Sequence, residues 1–208
     1  DHAHASETSL STAVSGVLAI NTAHAESTWP EFRGPSGQGI STEKNLPITW
    51  SETESIRWKT PISGSGWSSP VIADGKIWLM TATVNEMSKE EQAAKVAGAQ
   101  LADQMIAARE ITLWAIEVDL ESGSVLREVK LLEVKDPQPI HSLNSYASPT
   151  PILKGSKLYC HFGDYGTVCL DTESSKPVWQ KRLAIDHRVG PGSSPALWND
   201  LLIIPCDG

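Results

Sequence analysis

The chain has 208 residues and a net charge of −8, with 40% of residues apolar and 20% charged. That is a globular composition, which argues against wholesale disorder. Acidic residues outnumber basic ones 25 to 17 and no Lys/Arg stripe is present, which speaks against a nucleic-acid partner. No apolar run approaches the roughly 20 residues of a membrane-spanning helix. Eight Trp against two Phe and three Tyr point to a recurring structural position for the indole.

In chain order, residues 10–20 (LSTAVSGVLAI) are small and apolar, and Ala23-His24-Ala25 follows with the small-x-small pattern of a cleavage site. Residues 1–25 therefore read as an export signal lacking its basic start, with a disordered Ala/Ser-rich tail as the alternative. The glycine-rich residues 34–39 (GPSGQG) have no strand before them and no helix pattern after them. They read as an entry loop rather than a phosphate loop.

Three segments then align without gaps: residues 69–79 (SPVIADGKIWL), 150–160 (TPILKGSKLYC) and 194–204 (SPALWNDLLII). Each has a hydroxyl residue and Pro, a short apolar run, a two-residue polar turn and a second apolar run. Pro is tolerated at the first residue of a strand. Asp74-Gly75, Gly155-Ser156 and Asn199-Asp200 are turn dipeptides, so each segment is predicted to be a β-hairpin.

A second half-motif follows twice. Residues 113–119 (LWAIEVD) lead into a turn at residues 120–123, and residues 166–171 (GTVCLD) into one at residues 172–175. The closing Asp accepts N–H groups of the turn it opens. One unit is thus four short strands, and the 44 positions from Pro151 to Pro195 suit a four-stranded propeller blade. Pro70 to Asp119 spans 49 positions against 20 from Pro151 to Asp171, which places an insert at about residues 84–110. Ser88 and Glu91 form a capping-box pattern there. Ala97, Leu101, Met105 and Ala108 fall at helical spacing, so the insert is predicted to be a helix, a decoration of the rim or else a lid.

These segments together resemble the pyrroloquinoline-quinone (PQQ)-like β-propeller repeat. The resemblance rests on residues 68–75, the Asp171 turn and Trp179. It extends to residues 29–35 (WPEFRGP), 56–60 (IRWKT) and 190–195 (GPGSSP), as in exported planctomycete-type propellers and the outer-membrane-assembly propeller lipoprotein. It implies an all-β ring of about eight blades. The expected layout is an outer strand at about residues 56–62, a blade at 68–131, a blade at 147–183 and a partial blade at 192–208. Two and a half blades cannot close a ring, so further C-terminal blades are expected as partners. Two departures stand out: Arg127 where the first blade would carry the Trp seen at Trp58 and Trp179, and Ser175 in place of Gly123.

By that resemblance PQQ is a conceivable cofactor, but no calcium ligands, catalytic Asp or stacking Trp map onto this chain. The expected function is an exported binding or scaffold module of the cell envelope with a protein or glycan partner. The alternative is part of a PQQ- and calcium-dependent dehydrogenase. His141 and His187 lie in loops between units and Asp207 ends the third hairpin, so these three are the candidates for a channel mouth; the plainer reading is ordinary loop residues. His161 reads as a packed strand histidine and Asp164 as a turn residue. A turn centred between Asp164 and Tyr165 sets Cys160 opposite Cys169, close enough for a disulfide in an oxidising compartment. Packed free thiols are the alternative.

Overall fold

Asp74, Gly155 and Asn199 all adopt left-handed backbone, with φ of 50°, 56° and 53°. Each opens a two-residue loop that reverses the chain into an antiparallel partner. In the computed structural model, which describes residues 28–186 and 188–206, the strands so formed are β1 (Val71–Ala73) with β2 (Lys76–Glu86), β7 (Ile152–Lys154) with β8 (Lys157–His161), and β11 (Ala196–Trp198) with β12 (Leu201–Ile203). The residues read as an export signal, His187 and Asp207 lie outside the described residues.

The second half-motif completes two sheets. β4 (Ala108–Asp119) and β5 (Val125–Lys135) extend the first hairpin into the order β1-β2-β4-β5. β9 (Thr167–Asp171) and β10 (Lys176–Lys181) extend the second into β7-β8-β9-β10. Both are simple antiparallel meanders, as the repeat predicts. The turns close as expected too. The Asp119 carboxylate accepts from the backbone N–H and hydroxyl of Ser122, each at 2.7 Å, and Asp171 does the same with Ser174 at 2.8 Å.

The insert is the first correction. Its helix α1 runs only over Lys89–Val96, capped by Ser88 and Glu91 in the expected reciprocal box. Ala97 ends the helix, Leu101 is left-handed (φ 63°), Met105 opens the short strand β3 (Met105–Ile106) and Ala108 opens β4. The excess is shared: β2 and β4 run longer than β8 and β9, pairing from Lys76↔Asp119 out to Glu86↔Ala108, and the remainder forms the connection that carries α1 and β3. The strand period prevails because Ile111, Leu113 and Ala115 continue one buried row opposite Met80 and Ala82. β3 pairs in turn with β6 (Ile140–His141). Among the described residues no helix is long and apolar enough to cross a membrane.

The second correction is a register. Gly163–Tyr165 form a three-residue turn, with Phe162 N–H donating to Gly166 O at 2.9 Å. The loop is centred on Asp164 alone, so every pair shifts by one residue. Cys169 faces Tyr159, and Cys160 faces Val168. Because side chains alternate, the two cysteines point to opposite faces of the sheet, and both thiols are free. No disulfide joins them.

The two sheets pack face to face. Trp78, Met80 and Leu113 of the first meet Leu158, Phe162, Val168 and Leu170 of the second in one core, and Cys160 fills part of it. The other face of the first sheet (Ile77, Ile116, Val118) is covered by Trp58 and Ile62. Residues 56–62 do this as irregular backbone rather than as the expected outer strand.

The packing repeats as well as the strands. Trp58 lies against the Asp119 turn: its indole N–H donates to Leu120 O at 3.2 Å, and a Cβ added at Gly123 would sit 2.3 Å from the ring. One unit further on, Arg127 reaches the Asp171 turn, donating to Ser175 Oγ at 2.7 Å and to Glu173 O at 3.5 Å. The two departures from the repeat are therefore one change. An indole needs a bare left-handed glycine beneath it (Gly123, φ 71°), whereas a guanidinium needs an acceptor, and Ser175 (φ 57°) supplies one. Gly123→Ala should destabilise the chain by about 2 kcal/mol or more, combining left-handed strain with the clash, while Ser175→Gly should cost far less. Urea denaturation checks this. In a Trp58→Ala background the penalty at Gly123 should fall to the backbone contribution alone.

Candidate functional site

Two places gather polar groups between the sheets. The first is the seam beneath Arg127. Glu117 in β4 stands opposite Trp78 in β2 and Arg127 in β5, and its side chain is 1% exposed. Arg127 Nε donates to Glu117 Oε2, Lys76 Nζ lies 3.0 Å from Oε1, and the guanidinium sits 5.4 Å above the Trp78 ring. A cleft of about 350 Å³ opens over this group, lined on the second sheet by Ser156 and Thr172. Burial pushes the Glu117 carboxyl up, but the hydrogen bond from Arg127 and the nearby Lys76 ammonium outweigh it and hold the group below the usual carboxylate range. It is a locked carboxylate that positions Arg127, with no proton to exchange near neutral pH.

The same three positions in the second sheet are Tyr159, Cys169 and Trp179, which pair across β8, β9 and β10. There the partners are apolar, with the Tyr159 and Trp179 rings 6.2 Å apart. The seam's charge is thus particular to the first sheet. Sequence reading missed Glu117; the signal available was a carboxylate aligned with Cys169 two positions before the turn Asp.

The second place is where the Ser/Thr-Pro segments begin. The N–H of Ser69 donates to Thr150 Oγ1 at 3.0 Å, and the N–H of Thr150 donates to Ser194 Oγ at 2.9 Å. The aligned hydroxyls thus form a ladder from unit to unit. Across the edges of β1 and β7 runs the WPEFRGP segment, with Trp29 bridged to Ile72 and Leu153 N–H donating to Pro30 O at 2.8 Å. This carries Phe32 towards Trp67, whose backbone N–H is held by Ala147 O at 3.3 Å. Phe32 and Trp67 wall a groove of about 550 Å³ with Asn144, Ser148, Thr150 and Ser193. None of the described residues lining it is charged.

Of the candidates read from sequence, His141 lies on the β3–β6 ribbon. Its Nδ1 accepts the Leu143 N–H at 3.0 Å, which leaves Nε2–H to donate to Gln104 Oε1 at 2.9 Å. Both nitrogens thus hold loops in place. His161 is buried, with Nδ1 2.8 Å from Thr167 Oγ1. Burial pushes the Asp164 carboxyl up, but the Arg182 guanidinium at 2.7 Å, together with Gln138 and the backbone of Ile185, holds it below the usual range. Cys160 is fully buried and its thiol is pushed up by desolvation, so it is inert. His187 and Asp207 fall outside the described residues. The groove aromatics escaped sequence reading because Phe32 and Trp67 lie 35 positions apart, and only folding brings them together.

A quinone with three carboxylates needs cations, and calcium needs a set of oxygen ligands. Neither fits an uncharged groove. Among the described residues no three His, Cys, Asp or Glu side chains are grouped closely enough to hold a metal. No protein-family model matches the chain, and neither does any curated protein.

Removing Arg127 leaves Glu117 buried with a single partner. Arg127→Ala should cost about 2–3 kcal/mol, since the arginine is one-third exposed and partly screened. Adding Glu117→Gln should recover part of that loss in chemical denaturation. Because the folded-state pKa of Glu117 is lowered, its contribution is complete above the unfolded value of about 4.3. The contribution disappears as pH falls through the lower folded value. Glu117→Gln should therefore lose less stability than the parent as pH falls below about 4.3.

Proposed function

We propose that the two sheets and the third hairpin are blades of a β-propeller that serves as an exported binding or scaffold module of the cell envelope. One observation carries this: the same unit-to-unit contacts occur twice in register. Trp58 meets the Asp119 turn as Arg127 meets the Asp171 turn, and Ser69 meets Thr150 as Thr150 meets Ser194. Repetition of one packing operation is what builds a propeller from identical modules. The order of the PQQ-like segments supports the same reading, and residues 10–25 support export.

Binding is favoured over catalysis by how the ionisable groups are used. Glu117, Asp164 and Asp171 are each committed to a cation of the same chain, and His141 is committed to loop structure. Such groups rigidify a scaffold. Titrating the protein with PQQ and calcium chloride, followed by quinone absorbance, should give no saturable change. Saturation at micromolar quinone would replace this reading with the dehydrogenase.

A further inference from the structure

The groove between Phe32 and Trp67 has a chemistry of its own. Both aromatic side chains are left more than half exposed, at 57% and 58%. Neither is needed to fill the core, so their apolar faces are available to a ligand. Around them stand the hydroxyls of Ser148, Thr150, Ser193 and Ser194 and the amide of Asn144. At about 550 Å³ the groove is of the size that holds small ligands.

Two features of the polar rim decide what that ligand is. The first is neutrality: a charged ligand would lose its hydration with no counter-charge in the lining to replace it. The second is preorganisation. Ser194 Oγ spends an acceptor site on the Thr150 N–H and keeps an O–H to donate, whereas the Thr150 hydroxyl is buried in the wall behind it. Ser148 is held by its bond to Asn144 Oδ1 at 2.6 Å. Asn144 is held by its amide donating to Val189 O and Pro191 O at 2.9 and 3.2 Å. With the Asn144 amide spent inside the fold, it fixes the loop that bears Ser148, and the hydroxyls of Ser193 and Ser194 are the polar groups offered beside the two aromatic faces.

We infer that this groove binds a neutral saccharide, with the apolar C–H faces of its rings against Trp67 and Phe32 and its hydroxyls on Ser193 and Ser194. The assignment rests on the binding-module reading and names the ligand class for it. A second exposed indole, Trp198 at 67%, lies on β11 outside the groove and serves as the internal comparison.

The test is isothermal titration calorimetry of the whole chain against neutral hexasaccharides: β-1,4- and β-1,3-glucan, α-1,4-glucan, β-1,4-mannan and chitin oligomers. Oligogalacturonate is the charged comparison. At least one neutral oligomer should bind with a dissociation constant of about 1 mM or tighter, and oligogalacturonate more weakly. Trp67→Ala and Phe32→Ala should each weaken binding about tenfold or more, Trp67→Phe should retain most of it, and Trp198→Ala should leave it unchanged. Both groove side chains are exposed, so unchanged urea midpoints will show that the variants still fold. No heat with any neutral oligomer, undiminished binding by Trp67→Ala, or equal binding of oligogalacturonate overturns the assignment. Quinone binding would instead remove the module reading beneath it, so the two failures are distinguishable.

Discussion

The third strand of each sheet ends in an aspartate that folds the next few residues over its own carboxylate. That closed turn is the platform on which a neighbouring element is laid. Asp119 and Asp171 build platforms of the same shape, with the same Ser three residues on. Much of the tertiary structure follows from what lands on them. Trp58 on the first platform covers the outer face of the first sheet, and Arg127 on the second ties the first sheet to the second. The face-to-face core between the sheets is sealed at that edge by this contact.

A platform made for an indole cannot simply receive a guanidinium. The arginine brings a charge into a closed seam, and the fold meets it with Glu117 beneath, Lys76 beside it and the Trp78 ring below. At the equivalent sites of the second sheet Tyr159, Cys169 and Trp179 need none of this. Four aligned positions thus change together between the units: the docking residue (Arg127 against Trp179), the platform residue (Ser175 against Gly123), the carboxylate (Glu117 against Cys169) and its aromatic neighbour (Trp78 against Tyr159). The consequence is one polar, cleft-bearing seam in an otherwise apolar stack, stable only while the carboxylate stays charged.

Binding chemistry collects at the opposite end of the strands. The Ser/Thr-Pro segments have no strand partner before they begin, so their backbone N–H groups must find acceptors elsewhere. They find them in the hydroxyls of the next unit. This solves a backbone problem and at the same time leaves the Ser194 O–H beside the groove walled by Phe32 and Trp67. The residues that hold the units together and those offered to a ligand are in part the same.

The local elements were legible in the sequence by itself. The three hairpins, the two Asp turns, the four-strand unit and the capping box of α1 depend on interactions within a few residues, and turn dipeptides and strand alternation report those directly. Whatever depends on a partner far along the chain was decided only by the tertiary structure. The insert formed a short helix between two lengthened strands rather than one long helix because a buried row opposite Met80 and Ala82 was available to extend. The turn at Asp164 closed on three residues rather than four, and that single step put Cys160 and Cys169 on opposite faces. Arg127 and Ser175 stand as unrelated departures in the sequence until packing joins them and brings in Glu117, and Phe32 reached Trp67 only by crossing two sheet edges. Hydrogen bonds between near neighbours leave their mark in adjacent letters. Desolvation and docking between distant segments leave none, because their partners are set by the fold.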